Sequence, residues 1–146
     1  MAVTRGNTNS AVVSWSVTGT DASIGITVDV GATLLLVSVL TRAELDISGT
    51  PQWSVGSQNL TLVDSTTRGA AGDPMAVETW GLVNPNDGGG TVTVTLDADE
   101  ETGIITFAFV YLGTVTSSVA NAVSVLEEDV NDAGTTTTVF ASNCSI

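Results

Sequence analysis

The chain has 146 residues and a formal charge of −13, with 16 acidic residues against three arginines and no histidine. That balance argues against nucleic-acid and anionic-membrane partners, which need clustered Lys and Arg to neutralise phosphate. The absence of His and of any Lys removes a Ser-His-Asp triad, an imidazole zinc site, a Schiff-base lysine and a phosphate-binding P-loop.

The length suits a single domain, because a chain of roughly 150 residues buries about 68–70% of its unfolded surface. Threonine and valine are the commonest residues, and β-branched side chains pack well on a pleated surface. An all-β fold is expected.

Residues 1–10 are polar and without periodicity, and read as an N-terminal arm, with residues 11–146 as the domain proper. Ala11 to Val17 alternates, placing Val13, Trp15 and Val17 on one face of a first strand. Ile24, Ile26, Val28 and Val30 form the inward row of a second strand, ended by Gly31-Ala32. Thr33 to Leu40 is the most continuously apolar run and predicts a central strand covered on both faces, with a short buried helix as the alternative. Ala43 to Pro51 reads as a loop. Gln52–Val55 and Asn59–Val63 flank Gly56-Ser57 and predict a hairpin.

Asp64 to Pro74 is small and polar, a candidate contact loop. Met75 to Leu112 holds three alternating segments separated by Asn84–Gly90 and Asp97–Gly103, the pattern of a β-meander. Asn121 to Val130 is ambiguous between strand and one or two helical turns, with strand preferred, and Thr135 to Ala141 makes a last strand. Nine to ten strands in one two-sheet antiparallel β-sandwich, jelly roll or similar barrel follow from this spacing.

Chemistry-bearing features are few. Gly88-Gly89-Gly90 precedes a β segment and not a helix, so it reads as a turn and not as a phosphate cradle. Glu78 beside Trp80 offers a carboxylate and a sugar-stacking ring, against the plainer reading of a solvent-facing acid and a packed indole. Asp97–Glu101 and Glu127–Asp132 present hard oxygen ligands for Ca²⁺ but lack the EF-hand spacing, and solvated turns are the preferred reading, with no cofactor expected. Trp15, Trp53 and Trp80 are expected in the core. No catalytic, cofactor-binding or metal-ligating residue is assigned, and the protein is not expected to be an enzyme.

Cys144 has no intrachain partner, so the fold does not need an oxidising compartment. Residues 1–7 lack a signal-peptide apolar stretch, and synthesis in the cytoplasm is expected. Dense carboxylate without Lys suits a halophilic or marine source, and simple colloidal solubility explains it as well.

The order of Trp15, Thr33-Leu34-Leu35-Leu36-Val37-Ser38-Val39, Gln52-Trp53-Ser54-Val55-Gly56, Leu60-Thr61-Leu62-Val63, Val77 to Pro85, Thr91 to Leu96 and Phe107 to Gly113 resembles a jelly-roll-like β-sandwich domain. That domain recurs in bacteriophage virion proteins and in secreted bacterial proteins. The resemblance spans residues 11–113 and carries no catalytic residues.

With no export signal recognised, the resemblance implies a virion structural protein, above all a capsid decoration or surface protein of a tailed virus. It would be made in the host cytoplasm and carried on the particle. Its expected partners are the major capsid protein or neighbouring subunits, and a homo-oligomer, preferably a trimer, suits a capsid lattice. The competing expectation is a carbohydrate-binding module using a Trp and acidic loops.

Overall fold

A computed structural model of the chain describes residues 3–13, 21–41, 47–68, 75–96, 104–113, 117–122, 124–130 and 136–141. The elements in order are β1 (Thr4–Val13), β2 (Asp21–Val28), β3 (Ala32–Thr41), β4 (Ile47–Trp53), β5 (Gln58–Asn59), β6 (Thr61–Arg68), β7 (Met75–Val83), β8 (Gly88–Leu96), β9 (Ile104–Leu112), the single helical turn α1 (Val119–Ala122), β10 (Ser124–Val130) and β11 (Thr136–Ala141). Every strand pairing is antiparallel. One sheet has the order β1-β9-β3-β7-β6 and faces a second, β2-β8-β4-β5, while β10 and β11 pair with each other.

Only Leu60 separates β5 from β6. Its N–H donates to the Pro51 carbonyl at 2.9 Å, which extends the β4–β5 ladder by one residue. Thr61 then pairs with Gly81 of β7, so one run of chain leaves the second sheet and joins the first, with Leu60 buried at the corner. With β5 and β6 counted as one strand, the first, eighth, third, sixth and fifth strands lie in one sheet and the second, seventh, fourth and fifth in the other, the fifth being shared between them. This is jelly-roll order, and the all-β two-sheet sandwich expected from the sequence is what forms.

The core follows from period-two alternation. Leu35, Val37 and Val39 of β3, Leu82 of β7 and Ala108 and Val110 of β9 meet Ile24, Ile26 and Val28 of β2, Trp53 of β4 and Val92 and Val94 of β8. Each fully buried aliphatic side chain contributes about 1.5–3 kcal/mol of transfer free energy.

β3, the middle strand of its sheet, is buried on its other face too. Leu34 and Leu36 pack with Ala122, flanked by Val63, Val83 and Tyr111. This second cluster explains the unbroken apolar run of β3. Gly81 admits the helical turn, because a Cβ there would lie 2.6 Å from Val119 Cγ1 and 3.2 Å from Leu36 Cδ2.

Several expectations are corrected. Thr4 to Ser10 is not an arm but the first part of β1, held by its backbone to β9 from Thr4↔Leu112 to Val13↔Ile104. Strand pairing uses main-chain groups, so a polar edge strand needs no apolar period. Residues 14–17 of the expected first strand lie outside the described residues.

Val30, expected to face inward, lies beyond the end of β2 and is 83% exposed. Ile47 to Pro51 is strand and not loop, and Asp64 to Arg68 belongs to β6, with residues 69–74 outside the described residues. The Met75–Leu112 segment is not a meander, since β7, β8 and β9 alternate between the two sheets. Sheets about 10 Å apart are bridged by the four residues 84–87, which span up to about 13 Å. Alternation reveals that a strand has an inner face, not which sheet owns it.

The hairpin reading of Gln52–Val63 holds at its turn, where Gly56 and Ser57 have φ of 79° and 51°, but its second arm is divided between sheets at Leu60. The ambiguous segment resolves as one helical turn followed by β10.

Candidate functional site

The end of the sandwich formed by residues 54–57 and 84–87 is tied by amide hydrogen bonds. Fully buried Trp53 donates its indole N–H to the Asn86 carbonyl at 2.9 Å. The Asn86 N–H donates to Gln58 Oε1 at 2.7 Å, its Nδ2 to the Val55 carbonyl at 3.3 Å, and Gln58 Nε2 to the Asn84 carbonyl at 3.2 Å. Asn84 takes φ 51°, a left-handed conformation Asn tolerates better than most residues. The reciprocal bonding of Gln58 and Asn86 marks this end as a structural clamp.

Gly88-Gly89-Gly90 is strand and not turn, paired with Val28, Thr27 and Ile26 of β2. Its three members do different things. Gly88 takes φ 122°, Gly89 is open to added volume, and Gly90 lies under the Trp53 ring, where a Cβ would come within 2.6 Å of Cη2 and 2.9 Å of Cζ3.

Glu78 and Trp80 are on the inward-facing row of β7, with Ala76 and Leu82. Trp80 is half-buried against the core and donates its indole N–H to Glu78 Oε2 at 3.0 Å, while Ser65 Oγ donates to Oε1 at 3.3 Å. Glu78 thus serves as acceptor for a packed indole and a neighbouring hydroxyl, a geometry that satisfies a half-buried carboxylate. Trp15, Cys144 and the acidic run Asp97–Glu101 lie outside the described residues. Glu127, Glu128 and Asp129 lie within β10. Among the described residues, no group of three His, Cys, Asp or Glu is placed to hold a metal ion.

A feature with no signal in the linear sequence lies where β1 meets β2. The β1–β9 register shifts between Arg5 and Thr8, a bulge that frees Gly6 and Asn7 from the ladder. Asn7 then bonds across to the second sheet: its N–H reaches Asp29 Oδ2 at 2.9 Å, and its Nδ2 reaches Asp29 Oδ1 at 2.8 Å and the Thr27 carbonyl at 3.1 Å. The bulge and the β2–β8 pair border a shallow, open groove of about 590 Å³.

No family model, characterised protein or solved structure matches this chain.

The two outer faces are unlike. That of the first sheet carries an apolar cluster covered in part by α1, beside the hydrogen-bonded Ser38–Thr79 pair. That of the second exposes Ser23, Thr27, Gln52, Asn59, Thr91 and Thr93, an array of hydroxyls and amides. Ser23 and Thr93 share a hydrogen bond at 2.9 Å across β2–β8, and Gln52 Nε2 donates to Asn59 Oδ1 at 2.7 Å across β4–β5. The first sheet ends in β1 and β6, each paired on one side only among the described residues; β6 also carries Leu62, which is 45% exposed.

Proposed function

We propose that this chain is a virion structural protein, a decoration or surface protein on the capsid of a tailed virus, acting through subunit contacts and not through catalysis. The observation that carries the reading is the jelly-roll strand order, an architecture used by viral capsid domains as well as lectins.

The edge strand β6, paired on one side among the described residues, supports it, because a sheet edge with an exposed Leu62 accepts a neighbour's strand or apolar side chain. β1 is less available, since its bulge and the Asn7–Asp29 bonds divert its first half toward β2. The partners are the major capsid protein or further copies of this chain, with a cyclic trimer preferred on a lattice. The high acidity keeps free subunits soluble and fits a saline environment.

A carbohydrate-binding module built on a tryptophan platform is the weaker reading, because Trp53 is fully buried and Trp80 is packed against the core. Mass spectrometry of purified particles of the virus carrying this sequence tests the proposal. The chain should be present at a fixed ratio to the major capsid protein, and its absence refutes the assignment. Native mass spectrometry of the isolated protein reads the oligomer, and a monomer at all concentrations removes the trimer.

A further inference from the structure

We propose that the groove between the β1 bulge and the β2–β8 pair binds a neutral glycan. The proposal is independent of the virion assignment, since it concerns a different surface from the β6 edge.

The groove is built, not incidental. The bulge at Arg5/Thr8 turns Asn7 toward β2, and three hydrogen bonds to Asp29 and Thr27 hold this wall in place before any ligand arrives. Gly25 of β2 and Gly89 of β8 leave the floor without side chains. A Cβ at Gly89 would meet no atom within 4 Å, and one at Gly25 only the Gly90 carbonyl oxygen at 3.8 Å. A volume of about 590 Å³ falls within the range of small-ligand sites.

The chemistry of the lining selects the ligand class. Thr8 and Thr27 present hydroxyls and Asn7 its amide oxygen beside the bare glycine floor, and no lining side chain ionises. An anion gains no counter-charge here and meets the field of a chain with net charge −13. A cation meets no carboxylate among the lining side chains, and Asp29 beside them accepts a bond from Asn7 through each oxygen. A purely apolar ligand would desolvate hydroxyls without replacing their hydrogen bonds.

A neutral sugar ring answers all of these conditions, with hydroxyls that exchange hydrogen bonds with Thr and Asn and C–H faces that lie against glycine Cα and threonine methyl groups. The groove opens onto the outer face of the second sheet. There the Ser23–Thr93 and Gln52–Asn59 pairs extend the same chemistry over four strands for further units of a linear glycan.

The test uses the full chain and two floor-filling variants, Gly89→Val and Gly25→Val, whose side chains enter open space, with thermal melts verifying the fold. The probes are an array of neutral glycans and titrations with maltohexaose, cellohexaose and chitohexaose followed by amide chemical shifts, with oligogalacturonate as the anionic comparator. Saturable binding of a neutral glycan with Kd of about 1 mM or tighter is expected, with shifts centred on Thr27, Gly89 and Gly90. Gly89→Val should weaken it at least about tenfold, while Trp80→Phe leaves it unchanged. Absence of binding across the array, unchanged affinity in both folded floor variants, or equal affinity for oligogalacturonate overturns the proposal.

Discussion

Replacing Gly90 by Ala, compared with the same change at Gly89 one residue away, isolates the packing of the buried tryptophan. The added Cβ at position 90 would sit 2.6 Å from Trp53 Cη2, 2.9 Å from Cζ3 and 2.7 Å from Ser54 Oγ. None of these neighbours yields easily. Trp53 is fully buried and anchored through Nε1 to Asn86, while Ser54 Oγ accepts the Thr91 N–H at 2.9 Å and the Ser54 N–H donates to the Thr91 carbonyl at 2.9 Å.

Overpacking of this kind costs about 1–3 kcal/mol, and a tilted indole that loses its acceptor adds about 0.5–1.5 kcal/mol. The sum, about 1.5–4.5 kcal/mol, corresponds to a fall in Tm of roughly 3–18 °C for a chain near this size. At Gly89 the Cβ meets nothing within 4 Å. There the variant should match the parent or gain about 0.5–1 kcal/mol, because glycine within a strand carries a larger unfolded-state entropy than alanine. Urea melts and near-ultraviolet circular dichroism read both effects. Equal stability of the two variants, or an unaltered tryptophan signature in Gly90→Ala, would refute the close approach of ring and backbone.

Gly81→Ala should cost about 1–3 kcal/mol by pressing on Val119, and Val119→Ala in the same chain should recover part of the loss, as a double-mutant cycle in urea would reveal. Glu78→Ala removes the acceptor of the half-buried Trp80 indole and should destabilise by about 1–3 kcal/mol, whereas Glu78→Gln, which keeps a carbonyl acceptor, should stay close to the parent in the same melt. With net charge −13, Tm should rise between about 0.1 and 1 M NaCl as the screening length falls from about 10 to 3 Å; a flat or falling curve in a scanning-calorimetry salt series would show that self-repulsion is not a stability term.

The parts of the fold that could be read from residues are those in which a strand's neighbours are irrelevant to its pattern. Ile24, Ile26 and Val28 announce an inner face whichever sheet they join, and the unbroken run of β3 announces cover on both sides. The Gly56-Ser57 turn is equally local, since it needs only the backbone freedom of glycine and a short polar loop.

The candidate groove was illegible for the opposite reason. Asn7 and Asp29 are distant in the chain, and Gly25 and Gly89 become neighbours only when β2 pairs with β8. Gly90 looked like punctuation in a glycine triplet, but its requirement is set by a tryptophan from another strand. The polar β1 segment looked unstructured because hydrogen bonding to β9 leaves no trace in side-chain hydropathy.

By itself, then, the amino-acid order determined an all-β sandwich, the inward rows, a central doubly covered strand and the exclusion of histidine- and lysine-dependent chemistry, because these follow from side-chain period and composition. Tertiary structure decided which sheet owns each strand, the switch of one strand between sheets at Leu60, the burial of Trp53 over Gly90 and the groove behind the β1 bulge. Each depends on contacts between segments far apart in sequence, and a period-two pattern carries no information about the identity of its partner.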